Sequence, residues 1–392
     1  MKENKLRTEE IFNKFNLHSN VILRDNGSSQ NMNVKYGIPV LFICFGVFIF
    51  LINVLGGRPH FKRLKPPNGV LTKKSDSSTL LDLINFKYEI SPECDASHLI
   101  WIVTSFAGDV FERSAIRRAY NSKELSNLGI KRVFLLGLLD ENSQKKTGIS
   151  QLAIENESRR FKDIVQGNFI EAYRNLTYKH LMGLKWSAEN CDHVPYIMKM
   201  DDDIIINIYQ VLERLEKIEI NNSLVGHVLE NMNPIREPAN KWFVTKDEYL
   251  PDSYPPFVSG WLYVTTPSVA SKLVDQANFY PKYFWIDDAF VTGILREKAD
   301  VQLIDIHEMY TTDFGFLKCC IEGGKKNLKC EFSIGPNGGD AELQIRFKEF
   351  ADLCKLKCEE RPEEFSVAKT CVVAFNEKSL GKGTAQIRPI KI

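Results

Sequence analysis

The strongest constraint on this chain of 392 residues is a stretch of 22 residues without a charged side chain, at 36–57. An α-helix rises about 1.5 Å per residue, so the stretch reaches roughly 33 Å, which is enough to cross a bilayer once. It follows about 35 mostly polar residues, and its apolar run is longer than that of a cleaved signal peptide. We therefore predict an uncleaved signal anchor at 36–57.

The charges around this stretch and the cysteines beyond it predict opposite orientations. Positive side chains are denser after the stretch, at Arg58, Lys62, Arg63, Lys65, Lys73 and Lys74, than before it, at Arg24 and Lys35. The positive-inside rule, taken literally, places the long C-terminal part in the cytosol. Eight of the nine cysteines and three glycosylation sequons, at Asn156, Asn175 and Asn221, lie beyond the stretch, as an oxidising lumen permits. Composition alone leaves both orientations open.

The overall charge limits the class of partner. Lys and Arg number 51 and Asp and Glu number 50, so the net charge is +1. Such a chain has no basic excess to neutralise phosphates, and we expect no nucleic-acid partner. Turn-forming and charged residues predict a stem at 58–95, and six late cysteines predict a disulfide-bonded extension at 313–392, with zinc at Cys354 and Cys358 as the alternative.

Between these segments, residues 96–312 alternate short apolar runs with helical patterns. Strands are predicted at 98–105, 131–137, 163–167, 194–200, 257–265 and 301–306, and helices at 111–120, 169–186 and 288–298. This alternation is typical of an α/β domain with a mostly parallel, doubly wound, Rossmann-like sheet.

Three consecutive acids, Asp201, Asp202 and Asp203, follow the predicted strand 194–200. Ligands of parallel sheets bind beyond the carboxyl ends of the strands, and carboxylate oxygens suit Mn²⁺ or Mg²⁺, which chelate diphosphates. A solvated turn, or the acidic first turn of a helix, is the alternative. His307, after the last predicted strand, is either a further metal ligand or an ordinary surface or core histidine.

A second acid pair, Asp287 and Asp288, follows an aromatic run and opens a predicted helix. The pair is either a helix N-cap or a carboxylate base held over a sugar hydroxyl. Arg113 and Arg117 are four residues apart and share one helix face. They either contact a nucleotide or pair with acids.

A series of short blocks occurs in a fixed order along the chain. The blocks are 113–120, 134–137, 157–158, 163–169, 173–180, 183–186, Cys191, 199–203, 254–260 and 287–293. Together they resemble the blocks of the β-1,3-galactosyl- and N-acetylglucosaminyltransferases grouped as glycosyltransferase family 31. The resemblance covers more than half of the chain.

This resemblance implies a type II Golgi membrane enzyme with a cytosolic tail at 1–35, a luminal domain of the GT-A fold, inverting chemistry and Mn²⁺. Asp201 and Asp203 would hold Mn²⁺ against the diphosphate of a UDP-sugar. Asp288, next to Asp287, would deprotonate the 3-hydroxyl group of an acceptor glycan on a glycoprotein or glycolipid.

The donor-binding residues that we predict are Arg113, Arg117, Asp201, Asp202 and Gly260. One departure from the family blocks lies here, because Gly260 is followed by Trp261 where glycine leaves room for a ligand. Val258 also replaces a cysteine, so the late cysteines are expected to pair differently from those of the family.

These observations favour a β-1,3-galactosyltransferase that uses UDP-galactose. A transferase that uses UDP-N-acetylglucosamine is the first alternative. An inactive membrane-anchored glycan-binding protein and a metal-dependent phosphohydrolase are two further alternatives from other classes.

Overall fold

The computed structural model describes residues 79–280, 282–322 and 327–371. The predicted anchor at 36–57 and most of the predicted stem lie outside these ranges. Across the ranges that are described, no helix combines the length and the apolar character needed to cross a membrane. The anchor therefore stays a prediction.

An eight-stranded sheet forms the centre of the described chain. The strands of this sheet and of a separate two-stranded sheet are β1 (Tyr88–Ile90), β2 (Leu99–Thr104), β3 (Ile130–Leu138), β4 (Ile164–Ile170), β5 (Tyr196–Asp201), β6 (Ile204–Ile206), β7 (Ser223–Leu229), β8 (Phe257–Thr265), β9 (Gln302–Asp305) and β10 (Ile334–Pro336). The sheet order is β1-β4-β3-β2-β5-β8-β7-β9, while β6 and β10 pair separately. Only β1 and β8 run against the other strands of this sheet. The predicted mostly parallel α/β sheet is confirmed.

The central strands are apolar on both faces. Along β2, Ile100 and Ile102 join one buried cluster, whereas Leu99, Trp101 and Val103 join the cluster on the opposite face. Strands covered on both sides appear in a sequence as continuous apolar runs. For this reason the predicted bounds 98–105 and 257–265 lie close to those of β2 and β8.

Helices cover the sheet. They are α1 (Val110–Ala119), α2 (Ser122–Asn127), α3 (Glu141–Thr147), α4 (Gln151–Phe161), α5 (Leu176–Asn190), α6 (Ile208–Leu215), α7 (Pro267–Phe279), α8 (Phe314–Glu322), α9 (Ala341–Lys357) and α10 (Val367–Thr370). The predicted helix at 169–186 is wrong at its start, because Phe169 belongs to β4 and α5 begins at Leu176. Glycines at 137 and 167 leave room for the Phe169 ring on the sheet, a contact that helical spacing does not reveal.

The predicted helix at 288–298 is present in an unusual form. Asp288–Leu295 is a π-helix, which Arg296–Lys298 continues as an α-helical turn. π-Helical turns are rare and frequently occur at functional sites. Asp287 occupies the N-cap position of this helix, as one interpretation predicted, but its side chain makes no capping hydrogen bond.

The described part of the C-terminal extension packs directly behind the three acids. Strand β10 pairs with β6, which follows Asp203 in the chain, and the backbone N–H of Asn337 donates to the carbonyl of Asp203 at 2.8 Å. Helix α9 lies against α1, where Lys348 and Glu124 of α2 form an ion pair at 2.7 Å. The change of composition near residue 313 therefore does not separate the extension from the sheet.

The eight cysteines beyond the predicted anchor form four disulfides. These join Cys94 to Cys191, Cys319 to Cys371, Cys320 to Cys330 and Cys354 to Cys358. The zinc alternative for Cys354 and Cys358 is therefore wrong. Three of the four bonds lie within the extension, as the clustering of late cysteines predicts.

Candidate active site

The three consecutive acids lie at the carboxyl end of β5, in the middle of the sheet. Asp201 is the last residue of β5 and lies opposite Thr104 of β2. The backbone N–H of Asp202 donates to the carbonyl of Thr104 at 3.1 Å, so the chain turns as soon as the strand ends. The interpretation of these acids as the first turn of a helix is wrong, because β6 separates them from α6.

The turn concentrates negative charge in a partly dehydrated place. Burial raises the pKa of Asp202 to about 8, and Oδ2 of Asp202 is buried without a hydrogen-bond partner. Asp203 keeps an exposed surface. Partial burial of its carboxylate and the negative charge of Asp201 nevertheless raise its pKa to about 6. Crowded carboxylates of this kind are stabilised by a nearby positive charge.

A buried ammonium group joins the acid turn to the second acid pair. Lys199 is 1% exposed, and its Nζ donates to Oδ1 of Asp201 at 2.7 Å and to the carbonyl of Gly260 at 2.5 Å. The backbone N–H of Gly260 donates in turn to Oδ2 of Asp288 at 3.0 Å. Asp201, Lys199, Gly260 and Asp288 therefore form one hydrogen-bonded chain, which brings together acids that are far apart in the sequence.

Gly260 is needed for this arrangement because of its size. A Cβ atom at this position would lie 2.0 Å from Oδ1 of Asp288. Any other residue would therefore displace the carboxylate. The sequence placed Gly260 in the donor-binding region, and the structure places its backbone between the two acid groups.

Asp287 and Asp288 are held by different partners. Oδ2 of Asp287 lies 2.9 Å from Nδ1 of His180, and Nε2 of His180 lies 2.6 Å from the hydroxyl of Tyr263. Burial and the charge of Asp287 raise the pKa of Asp288 well above its ordinary value. Burial opposes ionisation of Asp287 too, but the hydrogen bond from His180 and nearby positive charges lower its pKa. Of the two carboxylates, Asp288 is the better proton acceptor.

Arg113 and Arg117 lie behind the acid turn in buried ion pairs. Arg113 is fully buried and donates to both carboxylate oxygens of Glu157 at 2.8 Å. Arg117 donates to Glu157 at 2.6 Å and to Asp163 at 2.7 Å. Arg113 also donates to Ser105 at 3.3 Å, and Ser105 follows Thr104, whose carbonyl accepts from the backbone N–H of Asp202. The two arginines thus fix the framework around the acids, and direct donor contact by either stays a prediction.

His307 follows β9, and its partner is a different acid. Its Nδ1 lies 2.6 Å from Oδ2 of Asp305, and its side chain is 66% exposed. Among the described residues, no hydrogen bond joins His307 to Asp201 or Asp203. Its role as a metal ligand stays a prediction.

Two groups of side chains offer candidate cation ligands. His180, Asp287 and Asp288 bring their ligand atoms within 4.8 Å of one another, but both nitrogens of His180 already have hydrogen-bond partners. The turn of Asp201 to Asp203 fits a divalent cation better. Oδ2 of Asp202 is buried without a hydrogen-bond partner, and a cation would stabilise the ionised forms of Asp202 and Asp203, whose pKa values are raised.

Sequence reasoning did not assign a role to Lys199, His180 or Tyr263. A signal for Lys199 was available, because residues two apart on a strand share a face and Lys199 precedes Asp201 by two. His180 lies 107 residues from Asp287, and no local pattern connects them. That contact depends on how α5 packs against the π-helix and β8.

Comparisons with known proteins identify the family of this chain. Residues 111–307 match the family model described as galactosyltransferase. Beta-1,3-galactosyltransferase 5 from Gorilla gorilla gorilla is 34% identical over 236 residues, which are 60% of this chain and 76% of that protein. Human beta-1,3-galactosyltransferase 2 is 36% identical over 225 residues, or 55% of this chain and 52% of that protein. Among solved structures, an apo bifunctional glycosyltransferase named WbbM aligns with a TM-score of 0.36 at 10% identity, covering 68% of this chain and 51% of that chain.

The chain has an α/β sheet with acids at the carboxyl end of β5. The family match and the named relatives establish that it is a glycosyltransferase. The chain is a member of the galactosyltransferase family, and the predicted family resemblance is confirmed.

Proposed function

We propose that this protein transfers galactose from UDP-galactose, in β-1,3 linkage, to a glycan acceptor on a glycoprotein or glycolipid. The observation that supports this most directly is the hydrogen-bonded chain from Asp201 through Lys199 and Gly260 to Asp288. It joins a carboxylate with a raised pKa to an acid turn whose oxygens are candidate ligands for a cation. Displacement at a sugar carbon needs these two parts.

In the proposed reaction, Asp288 removes the proton of the acceptor 3-hydroxyl as its oxygen attacks the anomeric carbon. A new C–O bond forms on one face of the sugar while the bond to the diphosphate oxygen breaks on the other. UDP leaves with that electron pair, so an α-linked donor gives a β-linked product. Asp288 ends the step protonated and returns the proton to solvent. Asp287 stays ionised beside it.

Mn²⁺ is the cofactor that we propose for the acid turn, with Asp201 and Asp203 as its ligands. Bound there, it would neutralise negative charge on the leaving diphosphate. The buried, unpartnered oxygen of Asp202 supports a cation at this turn. The GT-A type of fold is part of the same proposal, supported by the mostly parallel sheet and by the position of the turn at a strand end.

Exposed aromatic side chains beside the acid pair support a sugar acceptor. Tyr173 is 49% exposed and Trp242 is 43% exposed, and the ring centroid of Tyr173 lies 5.9 Å from that of Trp285, two residues before Asp287. Burial, together with the negative charges of Asp287 and Asp288, raises the pKa of Tyr173 to about 12. Aromatic rings with a polar edge suit a ligand that is apolar on one face and hydroxylated at its rim.

The first experiment measures UDP release by the full chain with Mn²⁺, using UDP-galactose and UDP-N-acetylglucosamine over a panel of acceptor glycans. We expect acceptor-dependent release with UDP-galactose. Release with UDP-N-acetylglucosamine alone would reassign the donor. Phosphate release would indicate a phosphohydrolase, and Mn²⁺ and glycan binding without any turnover would indicate a glycan-binding protein.

We also propose a type II orientation in the Golgi membrane, with residues 58–392 in the lumen. The four disulfides support an oxidising compartment. The sequon residues Asn156 and Asn221 are exposed, so we expect glycosidase treatment to shift the mobility of the chain, and Asn156→Gln with Asn221→Gln to reduce that shift. Degradation of residues 58–392 by protease added to the cytosolic side of sealed vesicles would contradict this orientation.

A further inference from the structure

A buried histidine connects the acid pair to the central sheet. His180 lies on α5, is 0% exposed, and reaches Asp287 before the π-helix with one ring nitrogen and Tyr263 of β8 with the other. A buried imidazole costs free energy unless both of its nitrogens are hydrogen-bonded, and here both are. The arrangement therefore holds a specific geometry.

The contacts define which nitrogen of His180 carries the proton. Asp287 is ionised and can only accept, so Nδ1 of His180 must donate to it. Burial lowers the pKa of His180, which leaves the ring neutral with a single N–H. Nε2 therefore accepts from the hydroxyl of Tyr263. The direction of donation runs from Tyr263 through His180 to Asp287.

The two carboxylates of the pair are thereby fixed by separate donors. His180 holds Asp287 through an imidazole N–H, while the backbone of Gly260 holds Asp288. Neighbouring carboxylates without such distinct partners could exchange roles, because either could turn toward the same substrate hydroxyl. The imidazole leaves Asp287 no freedom to do so.

We propose that His180 is a positioning residue that fixes Asp287 and so makes Asp288 the carboxylate that meets the acceptor hydroxyl. Tyr263 contributes by fixing the tautomer of the ring. This inference rests on the proposed transfer reaction. It assigns His180 no contact with the substrate, and it predicts that His180 affects turnover more than donor binding.

The test compares three His180 variants of the full chain by kcat and by the KM values for donor and acceptor. A displacement of about 1 Å in a reacting group costs on the order of 10²-fold in rate, so we expect His180→Ala to lower kcat by up to about 100-fold with an unchanged donor KM. His180→Asn places an amide N–H where Nδ1 lies and should recover most of the rate. His180→Gln places its amide near Nε2 and should not.

Tyr263→Phe removes a single hydroxyl and provides a variant that retains the shape of the core. Residues that act through one hydrogen-bonded chain show non-additive effects. We expect Tyr263→Phe to lower kcat in the wild-type background and to have no further effect in His180→Ala. An equal effect in both backgrounds, or equal rates for His180→Asn, His180→Gln and His180→Ala, would overturn the proposal.

An independent readout separates this proposal from the proposed function. In ¹⁵N NMR spectra of the histidine-labelled chain, we expect the imidazole signals that are lost in His180→Asn to be those of a neutral ring protonated at Nδ1. If the signals lost in His180→Asn were those of a ring protonated at Nε2, the positioning role would be overturned even in an active enzyme. Absence of transfer by the wild-type chain contradicts the proposed function instead, and the NMR spectrum then still decides whether His180 donates to Asp287.

Discussion

Substitution of Gly260 by alanine tests the geometry of the site at a single atom. The added Cβ would lie 2.0 Å from Oδ1 of Asp288, whereas ordinary contacts begin near 3.4 Å. The carboxylate must therefore move by about 1.4 Å or rotate away, which breaks its hydrogen bond from the Gly260 N–H. Because the group that moves is the end of a side chain and not backbone, the fold should tolerate the change.

The expected loss follows from the size of this movement. Displacing a reacting group by about 1 Å costs on the order of 10²-fold in rate, equivalent to about 2.7 kcal/mol of transition-state stabilisation. We therefore expect Gly260→Ala to lower kcat at least about 100-fold with little change in thermal stability. The assay is acceptor-dependent UDP release, with Mn²⁺-dependent UDP binding measured in parallel.

Gly293→Ala is the matched control for this variant. Gly293 lies on the same π-helix as Asp288, but its added Cβ would meet Phe257 at 3.2 Å and not a carboxylate. It reports the effect of crowding between the helix and β8 alone. Near-normal kcat in a folded Gly260→Ala protein, or an equal loss in Gly293→Ala, would refute the role assigned to Gly260.

Further predictions concern the separate roles of the acids and the stability of the framework. We expect Asp288→Ala to abolish transfer but to retain Mn²⁺-dependent UDP binding, and Asp203→Ala to lose that binding; equal loss of binding in both would contradict their separate roles. Arg113→Met leaves Glu157 as a buried, underpaired charge and should cost about 3–5 kcal/mol in the free energy of unfolding, measured with urea, whereas a change below about 1 kcal/mol would contradict a buried pair. Burial opposes ionisation of Glu157, but Arg113 and Arg117 lower its pKa below the ordinary 4.5. The contribution of Glu157 to the stability of the fold should therefore be complete above pH 4.5 and be lost as the pH falls through the lowered pKa. Glu157→Gln should remove this part of the acid dependence of unfolding. Loss of the Cys94–Cys191 disulfide, whose sequence separation is 97, should lower the free energy of unfolding by about 4.7 kcal/mol. Loss of the Cys354–Cys358 disulfide, with a separation of 4, should lower it by about 2 kcal/mol. Equal losses in urea unfolding of the paired Cys→Ala variants would contradict a loop-entropy origin.

Local patterns predicted most of the sheet and the positions of the acids. The strands at 98–105 and 257–265 could be located because buried strands are continuous apolar runs bounded by polar turns. The acids at 201–203 could be assigned to a ligand site because a strand end precedes them. The start of the helix at 169–186 could not be predicted, since the contact of Phe169 with two glycines on the sheet outweighs its helical spacing.

The alternatives that the sequence left open were decided by contacts between distant residues. The arginines on α1 could contact a nucleotide or pair with acids, and the structure places both in ion pairs with Glu157 and Asp163. The cysteines could pair in many ways, and only the fold brings particular sulfur atoms within bonding distance. The extension looked like an appendage by composition, whereas β10 and Asn337 contact the acid turn itself.

The sequence by itself determined the class of the fold, the family of the chain and the identity of its acidic residues, because these depend on local periodicity and on short blocks of residues. Only the tertiary structure decided how those acids differ. Asp287 and Asp288 are identical and adjacent in the sequence, yet one receives a hydrogen bond from His180 and the other from Gly260. Their protonation depends on burial and on neighbouring charges, which exist only once α5, β8 and the π-helix have packed together.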